Sequence, residues 1–412
     1  MNKRFYPIIA LLVPALAAMA CALPGGGNQP APTGDQVATL VASTLQALTP
    51  APDAESTSTP EPETPAGLLP HTFYYLGTDN AGLTQVFRIE KDGKTQKQIT
   101  SEPVNVSSYG VSPVDGSVAF VVNNQMVWIA ADSSGRKVLV DGGTPDPNSA
   151  YLTNISNPVF SPNGMTIAYG YKGLNFYALD TGVSNRVLEN QIDDMGNGIL
   201  LPREMYWPEK YSPDGMKLLI TLGYYEGASA AVYYPAGNAL VRLKGGEGAL
   251  ICCEPMEWSA DGSSFHSASP SFGMFSSGLW KVDAGTGIVT TLLPGDAGDG
   301  SYNFADEPFL ASDGQLYFFF ANRKPSDPGF DSRTILQLVR SAPDGVTGRA
   351  VLRNDTFELM NEALWAPDAS FVIVAFAPIQ DVYFGGQAEV VYLDGSPNVV
   401  LANYAQSMKW GP

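Results

Sequence analysis

Few side chains in this 412-residue chain can do acid–base or redox chemistry: there are two histidines, His71 and His266, and three cysteines, Cys21, Cys252 and Cys253. Cys252 and Cys253 are neighbours, and outside a reducing compartment such a pair can close only a small, strained ring. A vicinal disulfide and two reduced thiols are both open readings. His266 falls in a β-prone run and His71 opens the folded region, positions that suit packed or surface imidazoles better than general bases. No Gly-x-Ser-x-Gly elbow is present. The Asp/Gly-rich stretches 193–198 and 296–300 offer oxygen ligands without the alternating acids of a defined calcium loop, so no metal and no cofactor is assigned. The chemistry on offer is that of binding, and the chain is not expected to be an enzyme.

The elements that would position a binding surface are marked by repetition. Ser112-Pro113-Val114-Asp115-Gly116 returns as Ser161-Pro162-Asn163-Gly164 and Ser212-Pro213-Asp214-Gly215. Looser copies are Ser259-Ala260-Asp261-Gly262, Ala311-Ser312-Asp313-Gly314 and Ala366-Pro367-Asp368-Ala369. The copies start about 50 residues apart, the period of a propeller blade or similar repeat unit. Each is a turn: Pro presets φ, Asp bonds its own backbone, and Gly takes positive φ. An apolar strand ending in an aromatic precedes most copies, as in Met205-Tyr206-Trp207, and a strongly β-prone run such as Leu316-Tyr317-Phe318-Phe319-Phe320 follows. An alternating third strand and a weaker fourth complete the unit, and four strands per unit is the make-up of a propeller blade.

Over residues 71–412 these units resemble the TolB-type, WD-repeat-like β-propeller repeat, with Tyr211-Ser212-Pro213-Asp214-Gly215-Met216-Lys217-Leu218 as the nearest copy. The resemblance implies an all-β propeller of four-stranded antiparallel blades. Residues 71–76 look like the strand that follows a turn, and 408–412 like the strand that precedes one. Pairing the two ends would close the ring and remove open edges. That gives six internal blades and one composite blade, seven in all, with six as the alternative. TolB-type proteins carry an α/β domain before the propeller and dock a lipoprotein partner; here a different segment precedes the ring, so that partner is not carried over.

Short turns join strands one to two and three to four, and these lie on one face of the ring. The other face receives the second-to-third and blade-to-blade links, including the long segments 141–154, 190–203, 269–278, 294–303, 321–333 and 377–387. Loops of this length on a rigid scaffold commonly carry function. Their aromatic and acidic residues make the candidate binding set: Asp193, Asp194, Trp207, Tyr224, Tyr225, Phe330, Asp331, Tyr383 and Phe384. Rings beside carboxylates suit a glycan, a cationic peptide or another protein.

The N-terminus reads as an export leader over 1–20: Lys3 and Arg4, an apolar run from Phe5 to Leu16, then small residues before Cys21. Ala18-Met19-Ala20-Cys21 resembles the lipobox of bacterial lipoproteins, which implies acylation of Cys21, a palmitate-type lipid anchor. Residues 21–69 are rich in Pro, Thr and Ala and fit a solvated tether, interrupted near 35–48 by a short helix that Asp35 can cap. The propeller domain then spans 70–412. A net charge of −18 excludes the basic footprint that nucleic acid or an anionic lipid surface requires. The sequence therefore predicts a monomeric, lipid-anchored, extracytoplasmic propeller that binds an envelope protein. The alternatives are a glycan or small ligand held at the channel mouth and, last, a hydrolase or lyase.

Overall fold

The computed structural model describes residues 67–412, apart from 146–148, 254–255, 272–274, 329, 331 and 332. The leader, Cys21, the tether with its helix near 35–48, and Asp331 lie outside the described residues. Within them the fold is an all-β propeller built of four-stranded antiparallel units, with strands taken in chain order from one edge of each sheet to the other. Ser108–Val111, Val118–Val122, Gln125–Ile129 and Lys137–Asp141 form one such unit, and Ser156–Phe160, Thr166–Gly170, Gly173–Ala178 and Val183–Glu189 the next.

Strand character follows position. The second strand of a unit is packed on both faces, so it reads as a continuous apolar run: all five residues of Val118–Val122 are buried, and so are the first six of Leu218–Tyr224. The fourth strand faces solvent, as in Val183–Glu189, where five of seven residues are exposed. The apolar clusters lie between successive sheets. Leu219 and Val232 of one sheet, for example, pack against Trp258, Phe265 and Trp280 of the next.

The Ser-Pro-Asp-Gly motif folds as its chemistry dictates. In the copy at 212–217 the Asp214 carboxylate accepts from Ser212 Oγ (2.5 Å) and from the Met216 amide (2.9 Å), while Ser212 Oγ accepts from the Lys217 amide (3.0 Å). These bonds stabilise the ionised form and hold the Asp214 carboxyl below the usual range. Gly215 sits at φ +70°, and Ala369, which stands in the glycine's place in the last copy, is held at φ +56°.

The two ends of the domain are joined by one long strand, Val399–Trp410. Its first half is the outer strand beside Gly386–Tyr392, with Val390 opposite Val399. Its second half pairs with Phe73–Thr78, with Phe73 opposite Trp410 and Tyr74 opposite Lys409. The sequence pattern had suggested separate strands here; the chain instead passes from one unit to the next without a loop, kinking at Ser407, which takes φ +54°. The result is a seven-stranded sheet running from Met360–Trp365 to Gln96–Gln98 through the shared strand. A central cavity of about 320 Å³ is lined by one segment from each inner strand, contributed at Gly110, Val159, Lys210, Glu257, Glu307, Ala363 and Lys409.

Two expectations need correction. Segment 190–203 is no loop: Gln191–Asp194 pairs with the start of the long inner strand Leu200–Tyr211, giving a five-stranded sheet. Gly196, Asn197 and Gly198 supply three successive positive-φ positions for its turn, and the Met195 amide donates to Ile199 O (2.9 Å). His71, read as a surface residue, is half-buried, its ring 6.2 Å from that of Trp410.

Candidate functional site

The channel wall carries Glu209, Lys210, Glu257, Glu307, Glu362 and Lys409. Several of these hold neighbouring units together. The Glu362 carboxylate accepts from the backbone amides of Ser407 (2.8 Å) and Met408 (2.5 Å), and Glu307 Oε1 accepts from the Ala363 amide (2.9 Å). Lys210 pairs with Glu257 across another junction (2.5 Å). Indole N–H groups repeat the theme: Trp258 donates to Lys210 O, Trp365 to Glu307 O and Trp410 to Trp365 O, at 3.2, 2.9 and 2.8 Å. Each bond joins one inner strand to its neighbour, so the polar residues of the wall brace the ring.

On the insertion-bearing face, 321–333 and 377–387 meet. Arg333 donates to Val382 O (3.0 Å), Met360 O (2.8 Å) and the side chain of Asn361, and its guanidinium lies 5.3 Å from the centre of the Tyr383 ring. Asn361 Nδ2 donates to Val382 O (3.2 Å) and Gly385 O (2.6 Å). The tip 382–385 is therefore pinned on both sides of Tyr383 and Phe384, which are 61% and 73% exposed. Near it, desolvation raises the carboxyl of the partly buried Asp306 to about 7, against the hydrogen bond from the Glu307 amide and the pull of Arg333.

A second region lies at the inner-strand ends of the same face. Ser156, Trp207, Thr221, Tyr224, Gly227 and Cys253 border a cavity of about 430 Å³. Cys252 and Cys253 are joined by a disulfide with Cα atoms 3.8 Å apart; Cys252 is buried, and Cys253 reaches the cavity.

The structure thus brings Trp207 and Tyr224 into one cavity and Tyr383 and Phe384 into one pinned tip. It leaves Tyr225 exposed between the strand ending at Tyr224 and that starting at Gly227. Asp193 pairs with Arg203 (3.5 Å) along the hairpin, and Asp194 accepts from the Gly196 amide (2.8 Å), so both acids serve that hairpin. Phe330 does not belong to the surface: it is 8% exposed, edge-on to Phe304 (5.9 Å) and Tyr302 (5.8 Å) in an inter-sheet core. An aromatic in a long loop looks available in sequence, but Phe330 packs into the apolar cluster with Phe304, Phe319 and Trp365. Among the described residues no cluster of three metal-ligating side chains occurs, and no helix is long and apolar enough to cross a membrane. Arg333 and Asn361 were missed because their role depends on carbonyls in another loop. Ser156 and Thr221 were missed because small hydroxyls in strands carry no signal of their own.

The architecture is that of a β-propeller built of antiparallel blades. Solved structures that resemble it include the oligogalacturonate lyase of Vibrio parahaemolyticus, at 11% identity and a TM-score of 0.51, over 80% of this chain and 84% of that one. They also include TolB of Acinetobacter baumannii, at 13% identity and a TM-score of 0.41, over 79% of this chain and 77% of that one. At these identities the likeness is one of fold. No family model and no curated protein matches the chain.

Proposed function

We propose that this chain is a non-catalytic binding module, held to a membrane outside the cytoplasm by acylated Cys21, that docks a protein partner through its insertion-bearing face. The observation that carries the reading is the tip at 382–385. Large aromatics normally seek cover, yet Phe384 and Tyr383 are presented to solvent on a backbone fixed by Asn361 and Arg333. Aromatic anchors that are rigid before binding lose little entropy on association, which is how a few residues come to dominate an interface. The net charge of −18 favours a partner whose rim is basic. The use of Glu307 and Glu362 to accept backbone amides supports a binding role over carboxylate catalysis in the channel.

The test is capture from an envelope extract with the mature chain, quantified against Tyr383→Ala and Phe384→Ala. Loss of an anchor of this kind weakens binding by about thirtyfold. A captured set identical for wild type and the double variant, with both folded, would refute the docking face. Retention of Cys21→Ser in the membrane fraction would refute the anchor.

A further inference from the structure

We propose that the Cys252–Cys253 disulfide is a redox switch that sets the length of an inner strand, and that a dithiol reductant operates it. The inner strand of this unit, Met256–Trp258, has three residues, whereas those of the units before and after it run over Leu200–Tyr211 and Tyr302–Leu310. The second strand is not shortened to match. Ser264–Ser269 has six residues, and the inner strand pairs with it no farther than Ser267. Counted back from the turn, Tyr206 and Met205 stand six and seven places before Ser212, as Ala305 and Phe304 do before Ala311. All four are extended and paired with the second strand, opposite Leu222, Gly223, Phe320 and Ala321. The same places before Ser259 are held by Cys253 and Cys252.

Successive side chains of a strand point to opposite faces, so two adjacent sulfurs cannot meet across extended backbone. Bridged, the pair turns a corner, with Cys253 at φ +61°. Disulfide and strand therefore exclude each other at these two residues. Once the bond opens, the register of the neighbouring units places Cys253 opposite Ser269, since Trp258 already faces Phe265. The accessible sulfur decides the chemistry. Cys252 is 1% exposed, whereas Cys253 is exposed and borders the cavity with Trp207 and Tyr224. A thiolate of the reductant attacks Cys253 Sγ and forms a new S–S bond, while Cys252 Sγ leaves with the electron pair of the old bond and takes a proton. The second thiolate attacks the reductant's own sulfur in this mixed disulfide and releases Cys253 as a thiolate. Two electrons pass to the protein, and the reductant departs as a disulfide. Farther along the same strand Glu257 pairs with Lys210, so the change in strand length reaches the channel wall as well as the insertion-bearing face.

The experiment compares amide exchange in the folded mature chain before and after treatment with dithiothreitol, with thiol release counted by alkylation and mass. The folded protein should release both thiols, and exchange in peptides covering 252–253 and 268–270 should slow about tenfold, as a strand pairing gained there requires. Removal of the dithiol and reoxidation should restore the faster exchange. Cys252→Ser/Cys253→Ser should show the slow pattern with or without dithiothreitol; if this variant does not fold, the treated wild type, which carries no substitution, decides. The proposal is overturned if the bond yields to dithiothreitol only when the protein unfolds. It is equally overturned if exchange over 252–253 and 268–270 stays the same or quickens on reduction, or if the folded double variant exchanges like the oxidised wild type.

Discussion

His266, which is buried, and Asp306, which is partly buried, titrate with opposite effects on stability. Burial holds His266 down to about 4, with Lys281 adding to the effect, so the folded protein keeps the ring neutral where the unfolded chain, at 6.5, takes up a proton. Acidification from about 6.5 to about 4 therefore costs stability, about 3 kcal/mol over that span. Asp306 is raised, so the folded state retains its proton where the unfolded carboxyl has ionised. Its contribution is present at low pH and is lost as pH rises from 3.8 toward about 7. The two slopes offset each other across the same interval. His266→Asn should leave a protein that gains stability on acidification, and Asp306→Asn one that loses it more steeply than wild type. Urea midpoints between pH 7.5 and 4.5 decide this; parallel curves for the three proteins would contradict it. The cysteine pair offers a simpler check at this scale. With Cys252 buried and disulfide-linked to Cys253, the unfolded, unreduced chain should resist alkylation at both positions, and reduction should open both, as read by intact mass.

The aromatic tip is an element-scale device, because its rigidity resides in Asn361 and Arg333 and not in its own sequence. Asn361→Ala removes the bonds to Val382 O and Gly385 O while the strand around it keeps its pairing with Phe371–Phe376. The expected result is faster amide exchange confined to 379–386, a change in global stability of about 1 kcal/mol, and weaker partner capture. Uniform exchange changes across the sheet would show instead that Asn361 serves the core. This division explains what the sequence could reveal. Turns and strands were legible because Ser-Pro-Asp-Gly and the apolar runs carry their cause locally, within a few residues. Membership of the surface was not, because it depends on neighbours in other units: Phe330 and Phe384 look alike in their loops, yet one packs on Phe304 and the other faces water. The cavity was half legible. Trp207 and Tyr224 stood out as rings, whereas Thr221 and Gly223 acquire meaning only when two strands and a neighbouring unit converge.

At the scale of the whole molecule, the ring depends on a junction that brings the first strand of the domain, Phe73–Thr78, against the last, Val399–Trp410. Gly411 N donates to Thr72 O (2.8 Å), Tyr109 OH to Ser407 O (2.7 Å), and the Trp410 ring stands edge-on to Phe73 and Phe371 at 6.2 and 6.3 Å. The shared strand is thus both the last strand of one unit and the first of the next, and no other strand could cover the inner edge of Phe73–Thr78. Trp410→Ala removes half-buried ring contacts and the bond to Trp365 O, and should cost about 3 kcal/mol. Trp410→Phe keeps a ring but no donor, and should cost about 1 kcal/mol. Deleting 406–412 goes further, since it leaves an unpaired strand edge beside the channel, and such edges template association with other chains. The shortened protein should lose its single cooperative unfolding transition and elute at concentration-dependent size. A monomer that still unfolds in one step at an unchanged midpoint would mean that the ring does not depend on this closure.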